Sequence, residues 1–532
     1  MEFGYQPLTP PFDHQAKAFA ISARKRVFAL FMDPGTGKSK IVIDTAAYLY
    51  EHKKITALLI VAPNDVDEQW IIQEIPRHLP KRITPTAVCW DAGRAKSQRQ
   101  ALELIQRPLP RRLAVLAMNH EAFATKRGRD IAAKFLKTYV VLMVIDEGHA
   151  IKSQKAARTR WLIRLGDNAF ARRILTGTPI TKTPLDLYTI FQFLDIRIIG
   201  FESYVAFKNK YADWVKEYVH RFDARSKKKV LQSYEVLQGF RNLDDLYSRI
   251  DPYIFRQAKE DCLDLPPKMY SILPVHLTEA QLALYDQVKK NSIVLLNKVE
   301  AGEAVTAIDL GALNLDGEDA QAEFIDRLQQ SQGRISAQIK LVTMLRCRQI
   351  VGGFVTTDAG EVRCIEGKVI NLPRIRVALT WLDGVMQGST GKIMIWARFK
   401  AEMNALSELL TKAKIHHVLV NGDTKGAARR DAIAEFKDRD NSLRVMITHE
   451  QSMGVGMDFN MVNNMLFYSC SHSYYQRAQA EDRAHRIGQR GTVTITDLHA
   501  VEVEIDRTMA AARLQAEGFK NELMKWKLSD IL

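Results

Sequence analysis

Ten short runs rich in Val, Ile and Leu limit what this chain can fold into. Five fall within residues 25–195 (RVFALFM, ALLIVAP, LAVLAMN, VVLMVIDE, ARRILTG) and five within 370–510 (KIMIWA, HHVLVNG, RVMITH, NNMLFYS, VTITDLH), with helix-spaced amphipathic segments between them. A strand that is apolar on both faces must be covered on both, as in a parallel sheet with helices packed above and below. The fold class is therefore α/β, with two units of similar size.

The first unit is expected over residues 1–199 and the main body of the second over 371–515. Between them, 200–268 reads as a helical insertion and connection, and 269–370 as the start of the second unit with a helical, partly acidic insertion. A helical tail is expected over 516–532. The boundary between units is placed near Pro266-Pro267, in LDLPPK.

A chain of 532 residues is too long for one core, and 46% hydrophobic with 26% charged residues is the balance of globular protein. No apolar run reaches the roughly 18 residues needed to cross a bilayer, and MEFGYQPLTPPFD lacks the layout of a signal peptide, so no membrane role and a cytoplasmic location are expected. Five scattered cysteines without a CxxC pair predict buried free thiols, with neither disulfides nor a zinc site. The net charge of +15 is lopsided: Arg77 to Arg164 holds 19 basic and 6 acidic residues, and Arg225-Ser226-Lys227-Lys228-Lys229 follows downstream. Lys298 to Arg327, with eight acids and two bases, reads as a solvated insertion. The basic concentration near nucleotide-type motifs favours nucleic acid as partner.

The first motif is FMDPGTGKSK, Phe31–Lys40, between an apolar run and a helical one. In such a strand-to-helix turn, Gly35-Thr36-Gly37 lets backbone N–H groups close around phosphates at the positive end of the helix. Lys38 would then reach the β- and γ-phosphates, and the Ser39 hydroxyl would ligate Mg²⁺. Met32 stands where the pattern usually begins with Gly or Ala. GSTGK at Gly388–Lys392 is a decoy, because no Ser or Thr follows its lysine and a strand follows it, so it reads as a turn.

The second motif ends the run VVLMVIDEGHAIKSQ, where Asp146 would hold the magnesium shell and Glu147 would polarise the attacking water. The third is QAEDRAHRIGQR, Gln479–Arg490. Arg483 and Arg486, three apart, would share one side of a helix and point together across a cleft, where a permanently charged guanidinium neutralises charge on a transferring phosphoryl group.

These three motifs, in this order on two α/β units, resemble the Snf-type (SWI/SNF-like) family of superfamily 2 DNA helicases and translocases, over about residues 8–510. LTPPFDHQ resembles the adenine-reading segment, with Gln15 as reader; LIVAPNDVDEQW resembles motif Ia; LTGTPITKTPLDLY resembles motif III; and KIMIWARF resembles motif IV. IDPYIFRQAKEDCLDLPPK resembles the connection into the second lobe, and LTEAQLALYDQV its opening helix. THEQSMGVGMDF resembles motif V, with Gly456 as a nucleotide contact, but it carries Met453 and Asp458 where many members have Gly and Asn. The aromatic-Asn-Pro element of the family is replaced by SHSYYQRA, Ser471–Ala478.

The resemblance implies two tandem RecA-like domains with helical insertions, ATP and Mg²⁺ as cofactors, and a DNA-dependent ATPase that moves along double-stranded or branched DNA without reading sequence. It implies a monomer of a compact branch, closer to viral, bacterial or annealing-helicase members, in a prokaryotic or viral-host cytosol, either recruited by a protein partner or acting on bare DNA. A strand-separating DNA or RNA helicase and an ATP-switched DNA clamp share the same core chemistry.

Overall fold

The computed structural model describes residues 4–64, 66–108, 110–223, 228–301, 332–356, 361–424, 426–450, 457–471, 473–486 and 488–525. The first lobe is built on β1 (Val27–Met32), β2 (Ala57–Ala62), β3 (Pro85–Trp90), β4 (Leu113–Asn119), β5 (Val141–Asp146) and β6 (Ala171–Thr176). These strands run parallel, and successive side chains feed opposite cores. Leu59, Val61, Met143 and Ile145 enter one apolar cluster, while Leu58, Ile60, Leu142 and Val144 enter the other. Period-two alternation with both faces buried is why these strands read as continuous apolar runs. Burying each such side chain stabilises by about 1.5–3 kcal/mol.

Past Gly200 the structure departs from the expected helical insertion. Short helices Tyr204–Tyr211 and Leu243–Ile250 are present, but between them lies a long antiparallel hairpin, β7 (Ala212–Asp223) and β8 (Lys228–Phe240). Trp, Tyr, Phe and Val dominate its apolar positions, and their preference for a pleated surface outweighs the helical spacing. Residues 225–227 of the basic cluster lie outside the described residues; Lys228 and Lys229 open β8. The chain then returns to the first sheet as β9 (Ile254–Gln257), parallel to β1. The sheet order is β3-β4-β2-β5-β6-β1-β9, so the first lobe continues beyond residue 199.

The second sheet opens after Pro266-Pro267 with β10 (Lys268–Val275). Helices Glu279–Ala301 and Gln332–Gly352 pack through Leu282, Tyr285, Cys347 and Ile350, followed by a small pair, β11 (Phe354–Thr356) and β12 (Val362–Cys364). Most of the acidic stretch, residues 302–327, lies outside the described residues. The remaining strands are β13 (Lys392–Trp396), β14 (His417–Val420), β15 (Val445–Thr448), β16 (Val462–Phe467) and β17 (Val493–Ala500). All six strands of this sheet are parallel, in the order β10-β17-β16-β13-β15-β14. Ile393 and Ile395 face one core, Met394 and Trp396 the other, repeating the logic of the first lobe.

These are two RecA-like α/β units in tandem. Among the described residues no helix is long and apolar enough to cross a membrane, and the five cysteines are free. GSTGK forms the link from the helix Pro373–Gly388 into β13. The C-terminal helix is one element from Ile505 to Lys525, with no break at 516. It leaves the second lobe, where Arg374 pairs with Asp506, and ends against the first, with Leu523 fully buried there and Phe519 edge-on to Phe240 at 5.1 Å.

Candidate active site

In a parallel sheet the carboxyl ends of the strands open onto the cleft where ligands bind. The turn from β1 into the helix Lys38–Glu51 lies at such an end. Gly35 (φ +86°) and Gly37 (φ +88°) both take the left-handed backbone that glycine tolerates. Lys38 is buried and donates from Nζ to the carbonyl oxygens of Met32 (2.8 Å) and Asp33 (3.2 Å). Burial lowers its pKa against the opposing pull of Glu147, Asp146 and Asp33. Two neutral carbonyls are poor partners for a buried ammonium, so a triphosphate is the better one.

Gln15 lies in the helix Asp13–Ser22, behind this loop. Its Nε2 donates to the Thr36 carbonyl at 3.1 Å, its Oε1 accepts from Phe12 N at 3.1 Å, and His14 Nε2 is 2.8 Å from the same Thr36 oxygen. The Thr36 hydroxyl is spent on the Asp33 carbonyl at 2.8 Å, so Thr36 shapes the loop through its side chain.

Two strands from β1, β5 ends in Asp146 and Glu147, both buried. The Asp146 carboxylate accepts from Trp70 Nε1 at 3.0 Å and from Glu147 N at 2.9 Å, and His120 Nε2 lies 2.9 Å from the Asp146 carbonyl oxygen. Glu147 has a left-handed backbone (φ 52°), a conformation that costs a non-glycine residue about 1–3 kcal/mol and clusters at functional sites. Burial, and then the adjacent Glu147 charge, raise the pKa of Asp146. Burial also pushes Glu147 up, but His149, whose Nδ1 is 3.3 Å from Glu147 Oε2, together with Lys38 and His120, outweighs it and leaves Glu147 below its ordinary value. The pair thus separates, with Glu147 kept ionised as a proton acceptor must be. Lys152, further along the same segment, donates to Thr181 Oγ1 at 2.8 Å and ties it to the segment after β6.

Arg483 and Arg486 do not lie within a helix. The helix Tyr474–Asp482 stops just before them, and both sit on the turn that follows. Lys259, two residues past the end of β9, holds that turn: its buried Nζ donates to Asp482 Oδ1 (2.7 Å) and to the His485 carbonyl (2.8 Å). Arg486 is thereby laid against the phosphate loop of the other lobe. A Cβ added at Gly35 would stand 3.9 Å from Arg486 Cγ and 4.0 Å from its Nε. Arg483 is buried beside it, and burial, followed by the charge of Arg486, lowers its pKa. The structure therefore brings Gln15, the Gly35–Ser39 loop, Asp146, Glu147 and Arg486 to one cleft. Gly456 falls in 451–456, outside the described residues.

Four supporting residues escaped the sequence reading. Trp70 opens a short π-helical turn, Trp70–Glu74, a distortion that recurs at functional sites. His120 backs Asp146, and Lys259 holds the arginine turn. Asp33 joins three elements, accepting from Lys520 of the C-terminal helix at 2.7 Å and from Lys259 N at 3.1 Å while its N donates to Gln257 O at 3.1 Å. Trp70 and Lys259 lie in stretches that already resembled motif Ia and the inter-lobe connection, but the fold pairs them with residues 76 and 223 positions away.

With this geometry in place, comparison with known proteins decides the family. An SNF2-related domain matches residues 21–322. The chain belongs to the SNF2-related family. A helicase conserved C-terminal domain matches residues 374–488. Among SNF2-type relatives, the ATP-dependent helicase fft2 of Schizosaccharomyces pombe is 23% identical over 540 residues, covering 93% of this chain and 40% of that protein. The DNA annealing helicase and endonuclease ZRANB3 of Mus musculus is 22% identical over 490 residues, covering 91% of this chain and 38% of that protein. The chain therefore spans less than half the length of these relatives. The Sulfolobus solfataricus SWI2/SNF2 ATPase core in complex with dsDNA aligns over 98% of this chain and 94% of that one, at 20% identity and a TM-score of 0.39. The chain thus carries an SNF2-related domain followed by a helicase conserved C-terminal domain, and these two relatives are named as helicases.

Proposed function

We propose that this chain is a motor that binds ATP between its two lobes and uses hydrolysis to move along double-stranded or branched DNA, remodelling DNA or protein-DNA structures. The observation that carries the reading is the placement of Arg486, from the second lobe, against the phosphate loop of the first. A nucleotide there is held by both lobes, so its hydrolysis changes how strongly they attract.

The residues divide the work. Main-chain N–H groups of Gly35–Ser39 and the Lys38 ammonium receive the phosphates, and Gln15 stands behind the loop on the side expected to take the adenine. The Ser39 hydroxyl, next to Lys38 in the chain, and the Asp146 carboxylate, whose charge acts on Lys38, are hard oxygen donors that would suit Mg²⁺. That ion, when bound, supplies charge neutralisation at the phosphate oxygens. Glu147 orients water and takes its proton. Arg486 meets the charge that develops on the transferring group, an effect of about 10³–10⁵ in rate for arginine fingers. Arg483, buried beside it, adds a second positive charge to the same side of the cleft.

The 19 basic residues between Arg77 and Arg164 supply a grip on phosphates that ignores base edges, so DNA binding should weaken steeply with salt and show no sequence preference. The chain works as a monomer in this reading, brought to its DNA by a protein partner in a prokaryotic or viral-host cytosol. The test is ATPase rate against duplex, single-stranded and forked DNA with a triplex-displacement assay. Lys38→Ala and Glu147→Gln should abolish hydrolysis in folded protein, and triplex displacement should follow ATP turnover on duplex. Full activity in Glu147→Gln defeats the assignment. Unwinding of forks without triplex displacement identifies a strand-separating helicase instead, and ATP-dependent DNA retention without movement identifies a clamp.

A further inference from the structure

SHSYYQRA, the segment standing in for the family's aromatic-Asn-Pro element, places a tyrosine at the cleft. The ring centroid of Tyr475 lies 3.7 Å from that of His149, with the planes inclined by 44°. Tyr475 opens into the cleft from the second lobe; His149 belongs to the segment after β5 in the first. On its own side Tyr475 is anchored by Gln479, whose amide donates to the tyrosine hydroxyl, and its helix is capped by the Ser473 hydroxyl, which accepts from Gln476 N at 3.4 Å. On the other side His149 Nδ1 stands 3.3 Å from Glu147 Oε2. A continuous contact therefore runs from Gln479, in the arginine motif, through two rings to the carboxylate that polarises water.

Glu147 needs such support. Its left-handed backbone takes it out of the β5 ladder, so side-chain contacts decide where its carboxylate points. His149 Nδ1 stands beside its carboxylate at 3.3 Å, and His149 is roofed by a residue of the opposite lobe.

We propose that Tyr475 is a positioning residue for hydrolysis: its ring, delivered by closure of the cleft, fixes the His149 imidazole and through it the orientation of the Glu147 carboxylate. The second lobe then contributes two things to the same step, Arg486 at the phosphate and a brace for the base. Opening the cleft removes both, which ties turnover to closure. This inference rests on the reading of Glu147 as the water-polarising group.

The test uses the full chain with saturating duplex DNA and compares Tyr475→Ala, Tyr475→Phe and Glu147→Gln. Tyr475→Ala is expected to lower kcat about three- to tenfold with the KM for ATP unchanged, the loss that an aromatic contact of ordinary strength implies. Tyr475→Phe, which keeps the ring, is expected to stay near wild type. Affinity for a non-hydrolysable ATP analogue should match wild type in both. In proton NMR, the imidazole signal assigned by its absence in His149→Gln should be ring-current-shifted in wild type and Tyr475→Phe, and should move to an ordinary position in Tyr475→Ala. Tyr475→Leu, which keeps apolar bulk without the ring, replaces alanine if that variant unfolds, with the same expectations. An unchanged kcat in folded Tyr475→Ala, an equal loss in Tyr475→Phe, or a change confined to KM overturns the proposal. Hydrolysis surviving Glu147→Gln overturns the reading of the site itself, whereas an inactive Glu147→Gln beside a wild-type Tyr475→Ala overturns the positioning role alone.

Discussion

Gly35 and Gly37 have nearly the same backbone angles, φ +86° and +88°, yet alanine should cost very different amounts at the two positions. Each substitution forces a left-handed residue, a penalty of about 1–2 kcal/mol. At Gly35 little more is added, because the new methyl meets nothing nearer than Arg486 at 3.9 Å. At Gly37 it would stand 2.2 Å from Gln15 Nε2 and 3.1 Å from Gln15 Cδ, so Gln15 must leave. Its bonds to the Thr36 carbonyl and from Phe12 N, both 3.1 Å, go with it. At about 0.5–1.5 kcal/mol each, those two bonds make Gly37→Ala worse than Gly35→Ala by about 2 kcal/mol. For a lobe of this size that is about 4–8 °C in the midpoint of thermal unfolding, readable by calorimetry. In a Gln15→Ala background the difference should vanish, since the clash and both bonds are already gone. Equal midpoints for the two alanine variants, or a difference that survives Gln15→Ala, would refute the reasoning.

Two further outcomes follow from buried charge. Lys259→Met strips Asp482 of its partner at 2.7 Å but leaves Lys268 at 3.6 Å, so the loss should sit near the lower end of the about 3–5 kcal/mol typical of breaking a buried pair. Chemical unfolding should show it, ATPase activity should fall because the turn carrying Arg486 is released, and Asp482→Asn added to Lys259→Met should cost little more. His78 is held down at about 4 by burial, with Lys40 and Arg77 behind it, while Thr9 Oγ1 at 2.8 Å and Glu74 at 3.9 Å face its ring. The unfolded chain then takes up the proton first, so the stability this residue contributes is complete above about pH 6.5 and is lost as pH falls toward 4. His78→Gln should flatten that acid limb in unfolding midpoints measured across the window.

How much of this was legible in the sequence depended on burial. Nine of the ten apolar runs are interior strands, where burial on both faces leaves no room for polar residues to blur the signal; the tenth, HHVLVNG, forms the edge strand β14. The strands that were missed are partly wet or short. β3 is half exposed along most of its length, β9 has four residues, and β10 shows Met269, Tyr270 and Ile272 to solvent at the sheet edge. The hairpin β7–β8 was missed because charged residues interrupt its aromatic and β-branched positions. At the site, a strand-to-helix glycine turn at Gly35–Ser39 and a strand-end acidic pair at Asp146-Glu147 were readable because each depends on residue type at fixed spacing. Contacts that join distant segments were not: Trp70 meets Asp146 across 76 residues, Lys259 meets Asp482 across 223, and Tyr475 meets His149 between lobes.

The C-terminal helix Ile505–Lys525 has a topological consequence. The path from β9 through the proline pair into the second sheet, then along that helix back to Asp33, Phe240 and the buried Leu523, forms a closed circuit. Severing the covalent connection at one point leaves that circuit joined at the other. Two separate polypeptides, one ending at Cys262 and one starting at Leu263, should therefore reassemble as a split protein, with Phe519 and Leu523 as the fastening. Because the lobes are tethered at both ends of the second one, their relative motion is narrowed from free swinging on a single string to rotation about the line joining two anchor points.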